Sequence, residues 1–267
     1  VNFIFPMGGL SSRFANAGYT LPKFQLDLYE KTVFEHAVIG FSRFFSDHTF
    51  VFAFRGGSEI AGFVTEKCLG LGIPEANLKL VCLNKVTSGQ AETVRIAIDE
   101  AGIDEDAPIT IFNIDTFQID YVLPNIFNPD EIDGYLEVFI AEGEHWSFVE
   151  PGADNSVIRV TEKERISEYC SSGLYYFRKA KDFCKAFDKA LSVSVEDLSG
   201  GERYVAPLYN DIIAAGGDIR YNLVGLDQLT FCGTPAEYEH LLKAQKPESM
   251  RQNLGQNKKR PPSEGAT

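Results

Sequence analysis

The sequence predicts an α/β fold: a single domain built on a mixed, mostly parallel sheet with helices on both faces. Three observations predict it. From residue 2 to residue 83, apolar runs alternate with helical periodicities in the order strand, helix, strand, helix, strand. Alternation of this kind implies parallel strands joined by crossover helices. A Gly-rich turn, Pro6-Met7-Gly8-Gly9-Leu10-Ser11-Ser12-Arg13-Phe14, leaves the first strand, and a later apolar run, Pro108 to Ile114, stops abruptly at Asp115. In open sheets of this class ligands lie beyond the carboxyl ends of the strands, where both features fall.

Asn2 to Phe5 reads as a short buried strand. In the turn that follows, small residues let the backbone approach an anion, and successive N–H groups can form an anion-binding concavity. Arg13 adds a planar donor fork suited to phosphate, and Pro22-Lys23 brings a second cation one short loop later. The unit suits a triphosphate; an ordinary strand-to-helix turn with surface charges is the other reading. Neither the Walker A nor the G-x-G-x-x-G pattern is present.

Leu26 to Tyr29 is a short extended piece, and Thr32-Val33-Phe34-Glu35 is a capping box opening a helix to about Phe45. Its phenylalanines are spaced for a core face. Thr49 to Phe54 is a buried strand, Gly56-Gly57-Ser58 a turn with Ser58 as cap of a helix to about Leu71, and Leu78 to Leu83 the next strand. Thr87-Ser88-Gly89-Gln90-Ala91-Glu92-Thr93 leads into a helix to about Ala101. Small residues before a helix N-terminus give backbone donors and room for a flat base, or serve as a plain cap. Asp115, at the end of a central strand, can hold a hard cation or sit in a turn. Gly134 to Glu142 is a strand with Trp146 to Val149 as its expected partner, and Trp146 reads as packing. Val157 to Val160 runs into Thr161-Glu162-Lys163, by itself an ordinary surface pair. Lys179 to about Leu191 is an amphipathic helix. Gly201 to Asn210 leads into another, with Pro207 near its start, and Ile219 to Val224 is a late strand.

The chain has 267 residues, 44% hydrophobic and 24% charged, ordinary for a soluble globular protein. No apolar run approaches the roughly 18 residues that span a bilayer, and Val1-Asn2-Phe3 has no basic n-region of a signal peptide. Five scattered cysteines without a C-x-x-C pair suit reduced thiols in the cytoplasm. A net charge of −13 disfavours nucleic acid as a partner, so any anionic ligand must be met by local cations such as Arg13, Lys23 and Lys163. From Lys246 to Thr267 the composition turns polar and Pro-rich, as expected of a disordered tail or linker; residues 1–245 form the expected domain.

Gly9-Leu10-Ser11-Ser12-Arg13-Phe14 followed by Pro22-Lys23 resembles the G-x-G-[ST]-R-[LF]…P-K signature of sugar-phosphate nucleotidyltransferases, the nucleoside-diphosphate-sugar pyrophosphorylases and their capsule-type cytidylyltransferase relatives. The resemblance runs on through Thr87-Ser88-Gly89, Asn113-Ile114-Asp115, Glu162-Lys163, the strand Tyr169 to Phe177, Glu202-Arg203-Tyr204 and Phe231 to Tyr238, which opens a helix to about Ala244. It implies a Rossmann-like, GT-A-like domain whose substrate-binding part is inserted after Asp115. It also implies an enzyme that joins an NTP to a sugar phosphate or similar phosphomonoester and releases pyrophosphate, for surface polysaccharide synthesis. Met7, Gly8, Gly9, Leu10, Ser11 and Ser12 would then cradle the nucleotide, Arg13 its β- and γ-phosphates and Lys23 its α-phosphate. Thr87, Ser88 and Gly89 would meet the base, and Asp115 would hold Mg²⁺. Glu162, Lys163, Gly173, Glu202 and Tyr204 would bind the second substrate, with Gly173 letting it approach the backbone.

Two departures are visible: Ser11 stands where the family usually has a second Gly, and Phe231 where it usually has a second metal Asp. A cytidylyltransferase acting on a non-sugar phosphoester, a GT-A glycosyltransferase and a catalytically inactive nucleotide-binding homologue stay open as alternatives, as does an oligomer.

Overall fold

The structure, a computed structural model, describes residues 1–198 and 201–244; the tail expected at 246–267 lies outside the described residues. The first half runs β1 (Asn2–Met7), α1 (Ser12–Asn16), β2 (Asp27–Leu28), β3 (Lys31–Thr32), α2 (Val33–Ile39), β4 (Thr49–Arg55), α3 (Ser58–Leu71), β5 (Leu78–Leu83), α4 (Gln90–Glu100), β6 (Ile109–Phe112) and β7 (Thr116–Gln118). Then follow β8 (Gly134–Ile140), β9 (Ser147–Pro151), β10 (Val157–Glu162), β11 (Tyr169–Phe177), α5 (Ala180–Ala190), α6 (Tyr209–Ala214), β12 (Ile219–Leu223), β13 (Leu229–Phe231) and α7 (Pro235–Lys243). The main sheet has the path β10-β9-β11-β6-β1-β4-β5, with β8 beside β11 and β12 beside β8. Strands β6, β1, β4 and β5 are mutually parallel, whereas β11 runs antiparallel to β6 and β8. The mixed sheet with a parallel nucleus is the predicted architecture.

Alternation along β1 sends Phe3 and Phe5 to one face and Ile4 to the other. On the first face Phe3 stacks on Phe50, and Phe5 on Phe52, each pair with ring centroids 5.0 Å apart. These are cross-strand partners in the parallel register, covered by Phe34 of α2, Phe41 just beyond it and Val64 of α3. On the second face Ile4, Val51 and Ile111 meet Ala91 and Val94 of α4 and Phe183 of α5.

Three local expectations are corrected. The Thr32 capping box is present, but α2 stops at Ile39 rather than near Phe45. A Cβ at Gly40 would lie 2.2 Å from the Gln118 carbonyl, and the Gly40 carbonyl accepts from Tyr121 N–H at 2.8 Å. The chain there packs on the end of β7, and only a 3₁₀ turn, Ser42–Phe44, follows. Gly57, not Ser58, caps α3. Strand β9 pairs with β10 and β11, whereas β8 takes β12 as its second neighbour. Pro207 stands as expected near a helix start, in the first turn of the 3₁₀ segment Ala206–Leu208 that runs directly into α6.

Strand β8 also carries a carboxylate into the core. Glu137 is 1% exposed and accepts from Ser172 Oγ at 2.9 Å and from Gln118 Nε2 at 2.5 Å. Burial pushes its carboxyl up from 4.5 to about 7, against those two donors. Between those values the folded chain keeps a proton that the unfolded chain has released, so stability falls as pH rises through that window and levels off above it. Glu137→Gln removes this dependence, on the order of 3 kcal/mol, because an amide does not titrate; the buried Gln118 Oε1, which has no partner among the described residues, can turn to accept from the new amide. Tm measured from about pH 5 to pH 8 should fall in the wild type by several degrees more than in the variant. Parallel profiles would remove Glu137 from the acid–base balance of the fold.

Candidate active site

A cleft of about 620 Å³ opens at the carboxyl ends of β1 and β6. Its floor begins with the turn leaving β1. Gly8 is pressed against Leu83 and Thr93, whereas a Cβ at Gly9 would meet nothing within 4 Å, so at Gly9 the backbone lies open to a ligand. Ser11 takes the left-handed conformation, φ 51° and ψ 31°, which costs an L-residue roughly 1–2 kcal/mol. That geometry explains physically why a glycine is favoured there. The serine keeps its place with its hydroxyl, which accepts from Lys23 N–H at 3.4 Å, and its carbonyl, which accepts from Phe14 and Ala15 N–H. Met7, Leu10, Ser12 and Arg13 line the same side.

Lys23 Nζ pairs with Asp115 Oδ2 across this floor. The pair joins the turn after β1 to the turn after β6, and both side chains are about one-quarter exposed. The Asp115 carbonyl accepts from Cys232 N–H at 2.8 Å, which draws the end of β13 close. A Cβ at Gly233 would lie 3.1 Å from Asp115 Oδ2 and 3.7 Å from Glu237 Oε2, so the space beside Gly233 is shared by two carboxylates. Glu237 already accepts from Thr234 N–H at 2.8 Å and Thr234 Oγ1 at 3.0 Å in the capping box of α7. Among the described residues no group of three or more His, Cys, Asp or Glu is poised for a metal. Asp115, already paired with Lys23, offers a single carboxylate, and Mg²⁺ is commonly held by one or two carboxylates, waters and substrate phosphates.

Thr87, Ser88 and Gly89 line the next wall. Here the backbone donors expected for a ligand are partly engaged: Ser88 N–H donates to the Glu92 carboxylate at 2.5 Å, and Ala91 N–H donates to the Arg203 carbonyl at 2.8 Å. Gly89 has φ +146°, and its missing Cβ would sit 2.5–2.9 Å from backbone atoms of Arg203. The glycine thus serves a close chain crossing beside the cleft. Gly89→Val should lower Tm by about 10 °C through overpacking and backbone strain, read by thermal unfolding; an unchanged Tm would show that the crossing yields.

The far side is built by β9, β10 and β11. Glu162, 6% exposed, accepts from Ser147 Oγ. Burial raises its carboxyl above the usual range, opposed by Ser147 and the nearby Lys163 ammonium. Tyr204 and Glu202 face this side, as does Tyr175. Gly173, φ +91°, lines the cleft, yet the space beside it is filled by the Asn113 side chain, whose Nδ2 lies 2.3 Å from the Cβ position. The close approach there is Asn113, not open space. Trp146 lines the cleft too, packed against Phe231 and Phe139 with ring centroids 4.9 and 5.1 Å apart.

One cleft therefore gathers every expected site residue except Lys163. Lys163, φ 55°, turns its ammonium to the rim, donating to Tyr204 Oη at 2.7 Å. Gln90, Asn113, Ser147, Tyr175, Trp146 and Glu237 also line it and were not anticipated. Of these, Gln90 and Asn113 lie inside the elements quoted for Gly89 and Asp115, and Glu237 had the Thr-x-x-Glu spacing before α7. Asp227 is exposed on a 3₁₀ turn and is not part of the wall.

No protein-family model and no curated protein matches the chain, but solved structures do. A nucleoside-diphosphate-sugar pyrophosphorylase from Vibrio cholerae RC9 is 40% identical, with a TM-score of 0.84 over 91% of this chain and 100% of that one. Two others share the fold at 17% identity. One is described as a glucose-1-phosphate thymidylyltransferase from Bacillus anthracis, solved with sucrose, with a TM-score of 0.71 over 94% of this chain and 98% of that one. The other is the inositol-1-phosphate CTP transferase from T. maritima, with a TM-score of 0.67 over 90% and 94%. With the first match at such identity and full coverage, the chain belongs to the sugar-phosphate nucleotidyltransferase family, as an enzyme of the pyrophosphorylase type.

Proposed function

We propose that the chain transfers a nucleotidyl group from an NTP to a sugar phosphate, giving a nucleoside-diphosphate sugar and pyrophosphate. The observation that carries this reading is the single cleft in which the open turn at Gly9, Arg13 and the Lys23–Asp115 pair face Glu162 and Tyr204. In the reaction an oxygen of the acceptor phosphate forms a bond to the α-phosphorus, and the bond from that phosphorus to the bridging oxygen breaks. Pyrophosphate leaves with the electron pair. The acceptor is already an anion, so no protein base has to create the nucleophile, and catalysis rests on positioning and charge neutralisation.

Arg13 takes the β- and γ-phosphates, and Lys23 takes the α-phosphate as negative charge builds there. Thr87, Ser88 and Gly89 take the base, Glu162, Glu202 and Tyr204 the acceptor's hydroxyls, and Lys163, from the rim, its phosphate. Asp115 would hold Mg²⁺, which supplies charge neutralisation between the phosphates when bound. The product is an activated sugar, and we assign its use to surface polysaccharide synthesis in the cytoplasm. Among the described residues no helix is long and apolar enough to cross a membrane. A donor without a γ-phosphate leaves Arg13 without a partner, which disfavours the glycosyltransferase alternative.

Pyrophosphate release across the four common NTPs and a panel of sugar phosphates and other phosphomonoesters tests the reading. Release that needs one NTP and one sugar phosphate together supports it. Release only with a non-sugar phosphoester would move the substrate class, and tight nucleotide-sugar binding without release would overturn the reaction.

A further inference from the structure

We propose that Arg203 is a positioning residue that locks the acceptor half of the cleft to its nucleotide half; the naming of the halves rests on the function proposed above. Arg203 is 8% exposed, and its guanidinium, charged at any physiological pH, donates to the carbonyls of Ala190 at 2.5 Å and Val193 at 2.6 Å. These carbonyls lie at and just beyond the C-terminus of α5, where helical donors run out and a cation is favoured. The backbone of the same residue clasps the start of α4. Its N–H donates to Ser88 O at 2.8 Å, its carbonyl accepts from Ala91 N–H at 2.8 Å, and Gly89 lies between with no room for a Cβ. Its neighbours Glu202 and Tyr204 line the acceptor side, where Tyr204 Oη accepts from Lys163 Nζ.

One residue thus holds the end of α5 with its side chain and the start of α4 with its backbone, and presents two acceptor-facing side chains. Truncating the side chain leaves the backbone clasp at Gly89 in place. It frees Glu202 and Tyr204 while sparing the nucleotide wall.

Steady-state kinetics of Arg203→Ala and Arg203→Lys, with the substrate pair that the wild type turns over, read this directly. The alanine variant should raise the acceptor KM about tenfold with the NTP KM within about twofold, and lysine, with its single donor point, should fall between. A merely structural role would lower Tm and the active fraction, hence kcat, and leave both KM values alone; that result, or equal rises in both, overturns the proposal. Amide hydrogen exchange provides an arm independent of turnover. Faster exchange at Gly201, whose N–H donates to the Leu198 carbonyl at 3.0 Å, in Arg203→Ala, with the clasped Arg203 N–H and the centre of α4 unchanged, supports the anchor even if the proposed reaction fails. Unchanged exchange at Gly201 overturns it whatever the activity.

Discussion

Lys23→Ala should lower kcat by about two to three orders of magnitude while shifting the KM of either substrate by less than about fivefold. Lys23 is held in place before any substrate arrives: its backbone N–H donates to Ser11 Oγ, and its Nζ pairs with Asp115. A cation preorganised where charge develops acts on the transition state more than on the ground state, so its loss falls on the chemical step. The resting pair also keeps the ammonium from being an uncompensated charge in a partly buried site. Single-turnover rates at saturating NTP and sugar phosphate separate this from slow product release. A wild-type single-turnover rate in the variant would remove Lys23 from the mechanism.

Asp115→Asn should reduce Mg²⁺-dependent turnover by about three orders of magnitude or more. The amide is nearly isosteric but lacks the charge that pairs with Lys23 and would hold the proposed cation. Where the family usually has a second carboxylate this chain has Phe231, whose ring is committed to Trp146 and Phe139. Glu237, whose carboxylate shares the space beside Gly233 with Asp115, is engaged as a helix cap. Mg²⁺ binding to the free protein should accordingly be weak, and nucleotide should be needed to recruit the ion. Asp227→Asn is the control, since Asp227 stands outside the cleft, and should change turnover by less than about twofold. Calorimetric titration of Mg²⁺ with and without NTP provides the second readout; full activity in Asp115→Asn would place the metal elsewhere.

The parallel nucleus was legible because its signals are local. The apolar runs of β1, β4 and β5 alternate with helical periods, and the turn after β1 and the carboxylate after β6 announce where those strands end. What sequence could not supply was pairing across long separations. β9 was expected beside β8, yet it lies on β10 and β11, because nothing in Trp146 to Val149 encodes which edge it meets. The same limit applies to the cleft. Gly89 and Gly173 were read for the ligand they would admit, but what fills the space at each is Arg203 backbone and the Asn113 side chain, residues about 114 and 60 positions away on the chain. Ser11 is the converse case: its odd residue type marked a turn whose left-handed backbone the structure then displays.

Following two labels at once shows whether this cleft joins the α-phosphorus of an NTP to an acceptor phosphate. With NTP labelled at the α-phosphorus in one reaction and at the γ-phosphorus in another, the α label should appear in the nucleoside-diphosphate sugar and the γ label in pyrophosphate. Both transfers should require the sugar phosphate and be lost in Lys23→Ala. Release of the γ label as inorganic phosphate, or an α label that never joins the sugar, would contradict it.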